Sequence, residues 1–361
     1  MDNIVFCATQ AGQQLLKKTI FFLGKQYDIP KEKLSVVEFE RVDFANSEFK
    51  IVGKGNLRDK KVHLFTSIKQ ESPNICVAED VMELLLMADA IQRAGAIELI
   101  IYFGYLPFQR QEKKKPKEPI SARLLFNLIE AAASDIIKRY GAVGLHEDAI
   151  QGFTNLPFDV IRTLPLHVLS FKTLLPQRPF IAVSNDEGKA DMIREFAYLV
   201  GAQGSIIMKK RRDGNNDPKT NVLEGSGFLT ECDTFVIGDD EISSGDSLIN
   251  TCNVIRAKNP RAKIYGFADH GLFNLKAGRF AEEKFYSLDI PISITDTIPR
   301  TQDYYDSSHK WLKRVVTVAP YLADLVWCNI KARSFSAKCI KHIEDVQKGT
   351  IKIEDYSILQ I

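Results

Sequence analysis

Along most of this chain, short apolar runs of strand length alternate with stretches of helical spacing, and that alternation restricts the fold more than any other feature. Residues 4–7 form an apolar run, followed by helical spacing over residues 11–23. Residues 61–66 read as a strand, and residues 78–95 set Val81, Leu84, Leu85, Ala88 and Ile91 on one helical stripe with Gly95 as a stop. Residues 97–103 are continuously apolar, as a strand buried on both faces requires. Pro119 is expected to open a helix carrying Ala122, Leu124, Leu125, Leu128 and Ile129, since the first turn wastes no amide hydrogen on proline. Residues 142–145 make the next strand.

A second series repeats the order, with strands at 180–184, 205–208, 234–238 and 263–268 and helices at 189–199 and 247–257. The pattern predicts an α/β protein of mostly parallel sheets flanked by helices, with right-handed crossovers and ligand sites at strand C-termini. A length of 361 residues exceeds one typical domain, and the two series divide near Phe158. The expected domains are residues 1–158 and 159–317, with a helix near 318–332 packing back on the first and an extension over 333–361.

Charge and cysteine usage narrow the function classes. Lys plus Arg (48) nearly balances Asp plus Glu (46), a formal net charge of +2, which argues against a nucleic-acid coat. The basic run at 110–117 lacks the interleaved aromatics of a nucleic-acid groove. No stretch reaches the ~18 apolar residues of a membrane span, and Asp2 and Asn3 do not suit a secretory leader. The six cysteines are scattered without a short-spaced pair, so they read as reduced thiols of a cytoplasmic protein.

Chemistry concentrates between Thr234 and Ser247. An apolar strand runs into Asp239, Asp240 and Glu241, which can hold magnesium or accept hydrogen bonds from sugar hydroxyls. Ser243, Ser244, Gly245, Asp246 and Ser247 then offer hydroxyls and amides at a helix N-terminus, where phosphate binds well. In isolation the segment could equally be an acidic surface loop with a serine cap. Residues 209–220, rich in charge, glycine and asparagine, read as a mobile loop. His146 follows a strand, where a structural role is common, and Asp186 could be a helix N-cap.

The loop over 239–247 resembles the ribose-phosphate loop of the ribose-phosphate pyrophosphokinases (phosphoribosyl pyrophosphate synthetases) and of type I phosphoribosyltransferases. Further motifs favour the former, over residues 6–323. Residues 44–48 resemble the family's adenine-binding loop, 110–114 its ATP-binding segment, and His146 with Gln151, Gly152 and Phe153 its most recognisable stretch. Residues 183–186, 209–212, 270–273 and 295–299 match other signatures.

The resemblance implies two similar phosphoribosyltransferase-like domains and Mg2+-dependent transfer of the β,γ-diphosphoryl group of ATP to the 1-hydroxyl of ribose 5-phosphate. By position, Lys210, Arg212 and His146 would be catalytic. Phe44, Asn46, Glu48, Arg110, Gln111, Lys113 and His146 would bind ATP, residues 239, 240 and 243–247 the sugar phosphate, and His146 and Asp186 metal. The family's adenine loop reaches a neighbouring subunit, so a dimer-based assembly, a hexamer, is expected.

Several positions depart from the pattern. Ser243 stands where a further aspartate is usual, Asp246 where a small residue is, Lys189 for a glycine, Gly144 for an aspartate and Asp269 for a threonine. Asp246 should weaken phosphate binding unless it points away. Two readings follow: an active, divergent synthetase, or a catalytically weak homologue acting as a partner subunit. A phosphoribosyltransferase proper would not explain residues 44–48 or 110–114.

Overall fold

The computed structural model describes residues 3–69, 76–175, 178–211, 219–274, 281–301 and 312–352. Arg212 therefore lies outside the described residues, as do residues 353–361 of the expected extension. The described chain forms two compact units. Unit 1 comprises Met1–Arg162, Asp296–Arg300 and Val318–Cys339, and unit 2 comprises Thr163–Thr295, Thr301–Thr317 and Ile340–Ile361.

Unit 1 runs β1 (Ile4–Ala8), α1 (Gln13–Tyr27), β2 (Phe39–Asp43), β3 (Phe49–Gly53), β4 (Lys61–Thr66), α2 (Val77–Arg93), β5 (Glu98–Phe103), α3 (Ser121–Ala133), β6 (Ile137–Val143) and β7 (Phe158–Ile161). Strands β1-β4-β5-β6-β7 form one sheet in that order, every pair parallel. As the apolar run required, Leu99 to Phe103 of β5 are buried at the centre of the sheet. On α2, Val81, Leu84, Ala88 and Ile91 are buried as one stripe, and Gly95 at φ 82° supplies the left-handed turn behind the helix. Pro119 does not open α3, which starts at Ser121; proline instead precedes the helix in the incoming segment.

Strands β2 and β3 pair antiparallel as a separate hairpin. Phe39 and Ile51 pack against the main core, while the tip at 44–48 is exposed.

Unit 2 runs α4 (Leu164–Leu174), β8 (Ile181–Ser184), α5 (Ala190–Val200), β9 (Gly204–Arg211), β10 (Lys219–Glu224), α6 (Phe228–Glu231), β11 (Thr234–Ile242), α7 (Asp246–Lys258), β12 (Lys263–Gly271), α8 (Ala281–Ser287), β13 (Ile292–Thr295) and β14 (Leu312–Val316). Its sheet has the order β10-β9-β8-β11-β12-β13-β14, antiparallel only between β10 and β9. The loop expected from residue 209 is thus corrected at both ends, because Lys209 to Arg211 pair with Lys219 to Asn221 as a hairpin. β11 outruns its expected end at Gly238, since β12 pairs with it as far as Ile242. Asp239, Asp240 and Glu241 therefore sit in the strand with alternating side-chain directions.

The chain then re-enters unit 1 as α9 (Ala319–Ile330), nine of whose twelve residues are buried, which is why this helix is a core element there. Tyr27 stacks on Trp327 with ring centroids 4.5 Å apart and donates its hydroxyl to Asp324. Helix α10 (Ser336–Lys348) follows, burying His342 and Val346.

Two departures from the family pattern have structural accounts. Gly144 has φ 52°, in the left-handed region that glycine adopts without strain. Asp269 is buried, accepts from the Thr163 hydroxyl and lies 3.0 Å from His167 Nε2, so it belongs to the interior of unit 2.

A buried histidine in unit 1 gives acid sensitivity. His63 Nδ1 is 2.9 Å from the Tyr102 hydroxyl, and Asn329 Nδ2 donates to that hydroxyl at 3.1 Å. Burial, with Lys61 adding to it, pushes the His63 pKa down to about 3. In the unfolded chain the value returns to about 6.5. Between these values the unfolded state binds the extra proton, so stability present above the upper value is lost as pH falls towards the lower one. Chemical denaturation of the wild type and His63→Phe at stepped pH should show the wild type losing ground by up to about 1.4 kcal/mol per pH unit in that window. A pH-independent difference would contradict this.

Candidate active site

In unit 2, three elements converge at the C-terminal end of β11. Wholly buried Asn185, just beyond β8, donates from Nδ2 to Asp239 Oδ2 at 2.8 Å. The Asp240 amide donates to Asp239 Oδ1 at 3.0 Å, and Lys189 Nζ pairs with Asp240 Oδ2 at 3.2 Å. Burial and the adjacent Asp240 carboxylate push the Asp239 carboxyl well above the usual range, with Asp186 adding to the crowding and Asn185 opposing it. Lys189, standing where a glycine was expected, thus offsets the charge of a crowded acid pair. Asp186 sits at the N-cap of the turn Glu187–Lys189, although its side chain makes no cap hydrogen bond.

The following turn is held tightly. Gly245 adopts φ 78°, and a Cβ there would lie 2.8 Å from the Phe285 ring, so both conformation and space demand glycine. Asn274 donates to Ser243 Oγ at 2.9 Å and through its amide to Ser243 O at 3.0 Å. Ser244 Oγ donates to Asp246 Oδ2 at 3.0 Å. Asp246 and Ser247 begin α7, and the amide end of a helix favours an anion. The strand end and turn together place carboxylates for a polyol beside amides and hydroxyls for a phosphate.

Unit 1 gathers a second group. Among the described residues, Glu112, His146 and Glu147 bring one ligand atom each within 4.8 Å of one another. The Glu112 side chain is only 7% exposed, and its Oε2 is buried without a hydrogen-bond partner. Carboxylate and imidazole donors with an unsatisfied oxygen are groups that a divalent cation could use. Asp186 is not a member of this group.

Gln109, wholly buried, accepts the His146 amide on Oε1 at 3.1 Å and so fixes the backbone that presents the imidazole. Lys113 Nζ lies 2.9 Å from Glu147 and 3.4 Å from Glu112, while Arg110 is exposed. Gln111 accepts from Ser121 Oγ at 2.6 Å, tying this segment to the start of α3.

The hairpin tip holds the remaining nucleotide candidates. Ser47 at φ 67° closes the turn, Asn46 Oδ1 accepts the Glu48 amide at 3.2 Å, and Phe44 is 47% exposed. Lys210 lies on β9 opposite Thr220.

Sequence reasoning did not single out Glu112, Glu147 or Gln109 individually, nor Lys284, which lies on α8 near Asp246. Their partners are remote in sequence, so no local spacing could signal them.

Comparison with known proteins places these features. Residues 9–133 match the model for the N-terminal domain of ribose phosphate pyrophosphokinase. A ribose-phosphate pyrophosphokinase of Mycoplasma genitalium is 30% identical over 339 residues, covering 92% of this chain and 97% of the relative. The chain belongs to the ribose-phosphate pyrophosphokinase family. Another member, from Thermotoga maritima, is 31% identical over 290 residues, 78% of this chain and 84% of its own. The crystal structure of phosphoribosylpyrophosphate synthetase from Mycobacterium smegmatis superposes with a TM-score of 0.74 at 25% identity, covering 91% of this chain and 99% of that one. Two phosphoribosyltransferase-like units of mostly parallel sheet flanked by helices are the architecture of this family member.

Proposed function

We propose that the chain works as a Mg2+-dependent ribose-phosphate diphosphokinase, with ATP and ribose 5-phosphate as substrates and AMP and 5-phosphoribosyl 1-pyrophosphate as products. The observation that carries the reading is the Asp239–Asp240 strand end leading into the Ser243–Ser247 turn at the head of α7, in a chain matched along most of its length by pyrophosphokinases. One site of this kind recognises both ends of a sugar phosphate. Asp239 and Asp240 accept hydrogen bonds from the sugar hydroxyls, and the turn with its α7 amides holds the 5-phosphate.

The anomeric hydroxyl attacks the β-phosphorus of ATP and releases its proton to solvent, the bond from that phosphorus to the α,β-bridging oxygen breaks, and AMP departs with the electron pair. Such a transfer asks for alignment and charge stabilisation more than covalent chemistry. His146, Glu112 and Glu147 would hold Mg2+, and Asp186 a second ion or the sugar side; the bound ion would neutralise triphosphate charge. Lys210 and Arg212 stabilise the charge of the transferring group. Phe44 stacks on adenine, Asn46 and Glu48 read its edge, and Arg110, Gln111 and Lys113 contact the nucleotide. This assigns ATP binding to residues 1–158, sugar-phosphate binding and the catalytic hairpin to residues 159–317, and a peripheral role to the extension.

The exposed tip at 44–48 suits contact with a neighbouring subunit, hence a dimer-based hexamer. No helix of the described residues is long and apolar enough to cross a membrane, and we place the enzyme in the cytoplasm. None of the relatives named above is described as a non-catalytic subunit. Purified protein with Mg2+ and ATP should release AMP in strict dependence on ribose 5-phosphate. ADP as the nucleotide product, or AMP release indifferent to the sugar, would refute the reading.

A further inference from the structure

The sugar-phosphate turn carries a charge opposed to its proposed ligand. Asp246 is the first residue of α7, and its carboxylate would face a phosphate dianion held at the turn. Lys284 of α8 answers that charge. Its Nζ donates to Asp246 Oδ1 at 3.1 Å and to the Ser244 carbonyl at 3.1 Å, while Ser244 Oγ holds the other carboxylate oxygen. The Lys284 side chain is 17% exposed, so this ion pair is less screened than one in open water. The helix that carries it is seated directly on the turn, because a Cβ on Gly245 would lie 2.8 Å from Phe285 and 3.2 Å from Ala281. Lysine, loop carbonyl and carboxylate are thereby fixed as one unit.

We infer that Lys284 is a positioning residue for ribose 5-phosphate: it draws the Asp246 carboxylate away from the phosphate and holds the Ser244 peptide so that the turn presents its donors. This rests on the sugar-phosphate reading of the turn. With Lys284 in place, Asp246 is neutralised within the site and the helix terminus remains available to an anion. Without it, a carboxylate at full charge and a loosened turn confront the incoming dianion.

Steady-state kinetics of Lys284→Met, Lys284→Arg, Asp246→Asn and the Lys284→Met/Asp246→Asn double variant test this, beside calorimetric titration of each protein with ribose 5-phosphate. Lys284→Met should raise the KM for ribose 5-phosphate and weaken its binding at least about tenfold, with kcat and the KM for ATP changing less than about threefold. Lys284→Arg should restore most of the affinity, and the double variant should recover most of what Lys284→Met loses. Lys284→Gln, which keeps a donor for the Ser244 carbonyl but removes the charge, holds the test open even if Lys284→Met does not fold: it should lose sugar affinity as Lys284→Met does.

Unchanged sugar affinity in Lys284→Met, a loss spread equally over both substrates, or a large gain in affinity from Asp246→Asn alone would overturn the inference while leaving the activity intact. A wild-type protein that neither binds ribose 5-phosphate nor turns it over would instead overturn the function, and this inference with it.

Discussion

Replacing Lys210 with alanine is expected to lower turnover by at least about 100-fold while leaving the KM for ribose 5-phosphate within a few-fold. The β9 and β10 register sets Lys210 opposite Thr220, so the residue is anchored on a strand close to the end of a hairpin. Negative charge on the transferring diphosphoryl group is most exposed when its bonds to both the attacking and leaving oxygens are long. A cation engaged chiefly at that stage contributes to kcat and little to ground-state binding. Lys210→Arg should recover part of the rate, and Arg212→Ala should behave like Lys210→Ala. Rapid-quench measurement of the chemical step separates this from slow product release. A Lys210→Ala enzyme that loses sugar or ATP affinity but keeps its rate at saturation would contradict the assignment.

Glu112→Gln should weaken binding of Mn2+, used as a probe for Mg2+, by about 10–100-fold. The Glu112 Oε2 is buried without a hydrogen-bond partner beside His146 and Glu147. An isolated buried carboxylate oxygen is costly, and a divalent cation would satisfy it. The amide keeps the shape of the carboxylate but removes its charge, so stability should change little while metal affinity falls. His146→Ala should have an effect at least as large, and Gln109→Leu a smaller one, since Gln109 acts on His146 only through the backbone amide. Titration followed by electron paramagnetic resonance reads the affinity without any turnover. Wild-type Mn2+ affinity in both Glu112→Gln and His146→Ala would remove this cluster from the metal site.

The parts of the fold that were legible in the sequence are those with a strong local period or a continuous apolar run. The strand Lys61–Thr66, the buried centre of β5 and the stripe of α2 are of this kind, each buried on the faces its pattern demands. The hairpin β2–β3 was not, because its half-exposed strands interleave charged residues with apolar ones and their burial is weak. Nor was α4, which buries eight of its eleven residues and so presents no single stripe. The acids 239–241 read as a loop, yet pairing with β12 draws them into the strand, a tertiary effect that local composition does not encode.

The same distinction runs through the site. The turn 243–247 was visible because its serines and glycine are contiguous and directly precede a helix. Lys189 was visible only as a departure from the family pattern, and its reason appears in the ion pair with Asp240, 51 positions away. Glu147 joins Glu112 across 35 positions, and Lys284 joins Asp246 across 38, so only the folded chain brings them together. Two of the departures that pointed to a weakened enzyme thereby acquire compensating contacts. Asp246 is paired with Lys284, and the Ser243 hydroxyl accepts from Asn274, so the turn stays ordered without the usual aspartate.

Diphosphoryl transfer from ATP to the anomeric oxygen of ribose 5-phosphate can be followed by phosphorus NMR of the purified protein with Mg2+, ATP and ribose 5-phosphate. AMP and a new sugar-linked diphosphate should appear in equal amounts, with the sugar 5-phosphate signal retained and neither product formed when the sugar is withheld. Formation of ADP with a singly phosphorylated anomeric carbon, or an unchanged spectrum from a folded protein that binds both substrates, would contradict it.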